Sequence, residues 1–261
     1  MANIFEEKEN STKPDRITSL LNIIDFSNTQ QKSLQTIRNL ITKYNEIFHV
    51  PGDKLSKSTL LEMKIPMINN EPIFTKQFPI PHKYKDIMKE KIKELLDDDV
   101  IEEAMSPYNS PVILIPKKKG EGLTKYRFIC DLRKINENIK KTHYPLPIPE
   151  EIIASLDGCL QFTTIDLNSG YHQLLVQEED RDKLAFSVLG KSYRYKRIPQ
   201  GCNISSCVFQ YGINKCLQGL QETGIHVYLD DILIATKSND DHHKALEQVL
   251  RGYYTATSLL R

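Results

Sequence analysis

Adjacent aspartates occur at three places in the 261-residue chain: Asp97-Asp98-Asp99, Asp230-Asp231 and Asp240-Asp241. Their neighbours separate them. The first group closes a helical pattern and reads as a solvated acidic cluster, and the third fits the capped, dipole-complementing start of a helix. Around the middle pair, Ile225, Val227 and Leu229 lead in and Ile232, Leu233, Ile234 and Ala235 lead out, so two buried strands meet at a turn made of carboxylates. Such turns usually hold Asn-Gly or Asp-Gly, because glycine tolerates positive φ, and this one has no glycine. Asp166 ends another β-rich run, 64 positions before Asp230. If the strand ends converge, Asp166, Asp230 and Asp231 form a hard, oxygen-only site suited to Mg²⁺. Two such ions about 4 Å apart can activate a hydroxyl and stabilise charge on a transferred phosphorus. An ordinary Asp-containing hairpin and a strand-end cap at Asp166 are the competing explanations, and spacing alone leaves both open.

The elements that would carry these residues are visible in the periodicity. Residues 1 to about 30 are polar and read as a linker or loosely ordered arm. From Gln30 to Phe48 the spacing of Leu34, Ile37, Ile41, Tyr44 and Phe48 predicts an amphipathic helix, and a second is expected from about Lys83 to Asp98. Val112-Ile113-Leu114-Ile115 and Tyr126 to Leu132 read as strands joined by the lysine-rich turn Lys117-Lys118-Lys119-Gly120-Glu121-Gly122. The prolines of His143 to Pro149 impose an extended crossing. Strands then follow at Phe162 to Leu167 and Gln173 to Val176, with a hairpin around Leu189-Gly190. A helix is expected from about Ser206 and a last one from Asp240 or Asp241. Strands interleaved with helices, without a regular βαβ rhythm, imply an α+β fold.

Overall charge is uninformative at +1, but its distribution is not. Nine Lys or Arg face three acids between Pro111 and Pro145, and six face one between Arg181 and Arg197. The five cysteines form no C-x-x-C pair and read as free thiols, which gives no sign of a disulfide framework or zinc knuckle. No signal peptide or membrane-spanning run is present, so an intracellular, cytoplasmic location and no membrane partner are expected.

Seven segments stand in order: Ser106-Pro107-Tyr108-Asn109-Ser110-Pro111, Pro116-Lys117-Lys118-Lys119, Tyr126-Arg127-Phe128, Asp131-Leu132-Arg133-Lys134-Ile135-Asn136, Tyr144-Pro145-Leu146-Pro147, Thr163 to Gln173, and Val227-Tyr228-Leu229-Asp230-Asp231-Ile232. Together they resemble the reverse transcriptase of gypsy-type LTR retrotransposons, related to retroviral Pol polyproteins. The resemblance implies a right-hand polymerase with fingers and an antiparallel palm sheet backed by helices. It implies that Asp166, Asp230 and Asp231 are catalytic and bind two Mg²⁺ ions, with Mn²⁺ a possible substitute, and that Tyr228 and Leu229 complete their hairpin. By the same resemblance, Arg127 and Lys117 would grip the incoming triphosphate, Tyr171 would exclude a ribose 2′-hydroxyl, and Gln200 would touch the nucleotide. Arg133 and Asn136 would support the template strand or fingers, with a salt bridge as the plainer role for Arg133.

Departures from the family accompany the match. Where its motif reads Pro-Phe-Gly-Leu-x-Asn-Ala-Pro-x-x-Phe-Gln, this chain runs from Pro199 to Gln210 with Gln200 in place of Phe, Ile204 in place of Asn and Ser206 in place of Pro. The resemblance covers about residues 60 to 250. Residues 1–59 are expected to form an arm and helix, 60–250 a fingers-palm domain whose palm is mainly 155–185 and 200–250, and 251–261 a divergent end lacking the thumb. The implied activity is RNA-directed DNA polymerisation from dNTPs on a primed RNA or DNA template. Its setting would be a Pol polyprotein with thumb, RNase H and integrase, in a virus-like particle. The alternative is an inactive truncated remnant that at most binds nucleic acid.

Overall fold

The chain divides into two units, Met1–Asp53 and Lys54–Arg261, and the computed structural model describes residues 15–117, 125–220 and 224–258. In the first unit, α1 (Arg16–Ile23) precedes α2 (Gln31–Lys43). The expected amphipathic stripe is present in α2 and the following turn, where Leu40, Ile41 and Tyr44 are buried. The linker expectation fails at α1. Arg16 donates to both carboxylate oxygens of Asp53 at 2.8 Å and to the Phe48 carbonyl at 2.7 Å, while Leu20 is buried. One guanidinium nitrogen shared between both carboxylate oxygens fixes geometry even where a partly exposed ion pair adds little stability, and composition does not show such a partner 37 positions away.

The second unit begins with β1 (Ser58–Met63), α3 (Lys85–Asp97), β2 (Ile101–Glu103), β3 (Val112–Lys117), β4 (Lys125–Cys130), α4 (Arg133–Asn138) and α5 (Pro149–Ser155). It continues through β5 (Gln161–Asp166), β6 (Leu174–Val176), β7 (Ala185–Val188), β8 (Lys191–Tyr195), α6 (Ser205–Cys216), β9 (Ile225–Tyr228), β10 (Asp231–Thr236) and α7 (Asn239–Ser258). The antiparallel sheet β5-β10-β9 is the element that matters most for the carboxylates. β3 and β4 form a separate antiparallel hairpin, β2-β8-β7 a second three-stranded sheet, and β1 pairs with β6 in parallel across an irregularity. The β7–β8 turn places Leu189 and Gly190 at φ 52° and 81°, the paired positive values of a tight two-residue hairpin.

Helices α6 and α7 pack against the β5-β10-β9 sheet and each other. Ile232 and Ile234 of β10 are fully buried beneath Leu246, Val249 and Leu250 of α7, a contact surface that sets which face of each strand looks outward. His242 adds a polar clamp, with Nε2 2.7 Å from Thr163 Oγ1 on β5 and Nδ1 3.0 Å from Thr236 Oγ1 on β10. β1, β2 and α5 were not foreseen in the sequence. β2 is only three residues long, and α5 starts at Pro149, whose fixed φ suits a first helical position as well as an extended segment. Among the described residues, no helix is long and apolar enough to cross a membrane.

Candidate active site

Strand register brings the three aspartates together. Asp231, the first residue of β10, pairs with Asp166, the last of β5, and on its other side with Tyr228 of β9. Leu229 and Asp230 are therefore the two turn residues. Leu229 has φ 52°, a left-handed conformation that costs an L-residue with a Cβ about 1–2 kcal/mol. Two hydrogen bonds hold it there: the Leu229 N–H donates to Gln210 Oε1 at 2.8 Å, and the Leu167 N–H donates to the Asp230 carbonyl at 3.0 Å. A strained turn persists where its surroundings over-determine it.

Asp166 and Asp231 are exposed on the outward face, whereas Asp230 is half-buried and its Oδ1 is buried without a hydrogen-bond partner. Burial, followed by the charges of Asp166 and Asp231, pushes the Asp230 carboxyl up to about 6. An orphaned carboxylate oxygen among like charges fits a divalent cation as the absent partner, and an oxygen-only set suits Mg²⁺. No group of three or more His, Cys, Asp or Glu is assembled as a metal cage among the described residues. Ions that retain water and substrate phosphate as ligands need no such cage.

A cavity of about 500 Å³ is lined by Arg127, Tyr171 and Gln200 among others and by none of the three aspartates; it reaches them through Ser169 and Tyr171, which flank Gly170, where an added Cβ would lie 3.0 Å from Asp230 Oδ1. Three of the four residues expected at a nucleotide thus share one pocket. The fourth, Lys117, ends β3 opposite Lys125, but its side chain and the loop from Lys118 lie outside the described residues. Arg127 is exposed on β4, and the rest of the lining mixes apolar Leu95, Val100, Cys130 and Tyr195 with charged Lys91, Glu94 and Asp98. Asn136 stands behind the Gln200 loop, donating to the Gly201 carbonyl at 2.8 Å and accepting from the Asn203 N–H at 2.9 Å. Arg133 instead forms an ion pair with Asp131 at 2.6 Å and is largely exposed.

Several residues at the site were missed as functional in the sequence. Gly170 touches the aspartate cluster, Phe209 stacks on Tyr171 with ring centroids 4.6 Å apart, and Arg197, 2% exposed, donates to the His172 carbonyl under the pocket. Burial, helped by the Arg197 charge, lowers His172 to about 4, so its imidazole is neutral at pH 7. Gln210 is fully buried, and besides accepting from Leu229 it donates to the Val227 carbonyl at 3.2 Å and to Asn214 Oδ1 at 3.0 Å. The available signal was an amide three and seven positions before Ile213 and Leu217, on the buried side of a helix.

Gln210→Leu is expected to lower the unfolding free energy by about 1–3 kcal/mol, because it strands a buried N–H. It should also accelerate hydrogen exchange at the Leu229 amide. Gln210→Glu keeps the acceptor and should retain that protection. Urea unfolding with residue-resolved exchange reads both, and an unchanged Leu229 rate in the leucine variant would refute the anchoring role.

The chain is 34% identical over 232 residues to the retrovirus-related Pol polyprotein from transposon 297 of Drosophila melanogaster, covering 87% of this chain and 22% of that protein. The corresponding polyprotein from transposon gypsy of the same organism is 33% identical, covering 82% of this chain and 21% of the relative. The chain therefore spans about a fifth of the length of the curated relatives it matches. Among solved structures, prototype foamy virus protease-reverse transcriptase superposes with a TM-score of 0.76 at 26% identity, over 87% of this chain and 30% of that one. The foamy viral protein in complex with an RNA/DNA hybrid gives 0.77 at 24% identity, over 93% and 32%. The α+β architecture, with its antiparallel sheets, is accordingly that of the fingers and palm of a right-hand polymerase. Residues 115–254 match the family described as reverse transcriptase (RNA-dependent DNA polymerase), and with that match the chain belongs to the reverse transcriptase family.

Proposed function

We propose that this chain carries the nucleotidyl-transfer centre of a retrotransposon RNA-directed DNA polymerase, joining a dNTP to a primer 3′-hydroxyl on an RNA or DNA template. The observation that carries the reading is the register of Asp231 opposite Asp166, which gathers both carboxylates with the unpartnered Asp230 Oδ1; Gly170, close to that oxygen, connects them to the cavity through its neighbours Ser169 and Tyr171. Asp166, Asp230 and Asp231 would hold two Mg²⁺ ions, with Mn²⁺ a workable substitute. When bound, such ions lower the charge barrier to hydroxyl attack and pyrophosphate departure.

The chain's own residues supply the positioning. Arg127 presents a planar, permanently charged fork to phosphate oxygens at the mouth of the cavity, and Lys117 would be its companion. Tyr171, stacked on Phe209, forms the wall under the sugar. Gln200 faces the nucleotide from a loop that Asn136 braces. Arg133 is assigned to the fingers surface. The palm on this reading is built mainly from residues 155–185 and 200–250 of a fingers-palm domain spanning 60–250. The rest of a Pol polyprotein, with thumb, RNase H and integrase, would be its partner.

Primer extension on an RNA template with dNTPs and Mg²⁺ tests the proposal, with Asp166→Asn as control. Product from the wild-type chain and none from the variant is expected. Equal product from both would sink the metal assignment. Template binding by a chain that gives no product would instead favour a remnant that only holds nucleic acid, with a steep salt dependence from counterion release.

A further inference from the structure

Ser206 stands where the family motif has proline, and it is one of two residues that fix the outer end of Tyr171. The Tyr171 hydroxyl lies 3.2 Å from Ser206 Oγ in the first turn of α6, and one face of the ring stacks on Phe209 at 4.6 Å and 19°. Phe209 is 2% exposed and therefore a firm backing. The inner end is fixed as well, since Tyr171 sits in the single 3₁₀ turn Gly170–Gln173 that follows β5. Tyr171 also lines the 500 Å³ cavity together with Arg127 and Gln200.

We infer that Ser206 is a specificity-determining residue: by tying the Tyr171 hydroxyl to α6 it makes the ring an immobile wall that favours deoxyribonucleotides over ribonucleotides. The inference rests on the nucleotide reading of the cavity given above. A mostly apolar wall rejects an added hydroxyl poorly if it can yield, because the penalty is then only a small displacement. Discrimination by steric conflict requires that the obstructing group stay in place. Stacking on Phe209 resists motion perpendicular to the ring but leaves sliding in its own plane open. The bond to Ser206 closes that direction. Proline at this position offers no hydroxyl, so the device belongs to this chain's sequence. Burial raises the Tyr171 phenol above its usual value, which keeps both partners protonated hydroxyls at neutral pH, each able to donate or accept.

The test measures equilibrium binding of dGTP and of GTP to the full chain on a primer-template with cytosine as the templating base, in Mg²⁺. A dideoxy-terminated primer prevents turnover, so the affinity ratio is read independently of catalysis. Tyr171→Ala should bring the ratio close to one. Ser206→Ala and Tyr171→Phe should each reduce it about 2- to 10-fold, the range an ordinary hydrogen bond supports, chiefly by tighter GTP binding. The double variant should go no further than either single one. Weakening of both nucleotides alike would mark a merely structural role for Ser206 and overturn the inference. If Tyr171→Ala erases the preference while Ser206→Ala keeps the wild-type ratio, the inference fails and the reading of the cavity stands. If Tyr171→Ala leaves the ratio unchanged, or the wild-type chain binds neither nucleotide, the reading of the cavity falls and the inference with it.

Discussion

Asp230→Asn is expected to abolish primer extension, by about 10³-fold or more, while raising the melting temperature of the metal-free chain at pH 8 by about 2–4 °C. Both effects have one origin. The Asp230 carboxyl is half-buried, its Oδ1 has no partner, and burial together with Asp166 and Asp231 pushes it up to about 6. A carboxyl raised above its unfolded value favours the fold while protonated, and that contribution is lost as pH climbs through the folded value. The thermal gain from asparagine should therefore be present at pH 8 and nearly absent below 3.8, the unfolded value. Added Mg²⁺ should stabilise the wild type and not the variant, because binding to the folded state alone shifts the melting point by mass action. Calorimetry at the two pH values, with and without Mg²⁺, separates the contributions. An Asp230→Asn chain that extends primers at the wild-type rate would remove this residue from the site.

Gly170→Ala should also be damaging, although glycine has no side chain to serve as a ligand. A Cβ at Gly170 would lie 2.7 Å from Phe209 Cζ and 3.0 Å from Asp230 Oδ1. Neither neighbour can yield freely: Phe209 is a buried ring stacked on Tyr171, and Asp230 is fixed by its turn. Overpacking of this kind costs about 1–3 kcal/mol. A displacement of catalytic groups by about 1 Å can cost about 10²-fold in rate. The expected signature is a lower melting temperature with weakened Mg²⁺ binding, and dNTP extension down by about 10²-fold. Unchanged Mg²⁺ affinity in a folded Gly170→Ala chain would show that the aspartate tolerates the intrusion.

The strands that carry the carboxylates were legible because their apolar runs are bounded by charge and turn residues, as at Ile225 to Ala235. The long helices were legible from periodicity. α1 was not, because its order depends on Arg16 reaching Asp53, Asn45 and Phe48, a set of distant partners that local pattern does not encode. The same limit applied at the site. Carboxylates announce themselves, whereas the groups that position them are an amide facing inward, a glycine needed for close approach and a serine in an unexpected place: Gln210, Gly170 and Ser206. Ser206 and Ile204 read in the sequence as defects of a motif. In the structure Ile204 is 2% exposed in the core, and Ser206 has a partner of its own.

The pairing of Asp231 with Asp166 has a consequence for errors in folding. Side chains alternate along a strand, so a slip of one residue between β5 and β10 would turn the apolar set outward and put carboxylates beneath α7. Such a molecule would lose its hydrophobic interior and its chemistry in the same step. A misassembled copy would then be inert rather than error-prone, and the fraction of a preparation competent for turnover would count the correctly registered sheets. Titrating active centres against total protein would make that count directly, giving the strand alignment a functional assay that needs no further structure.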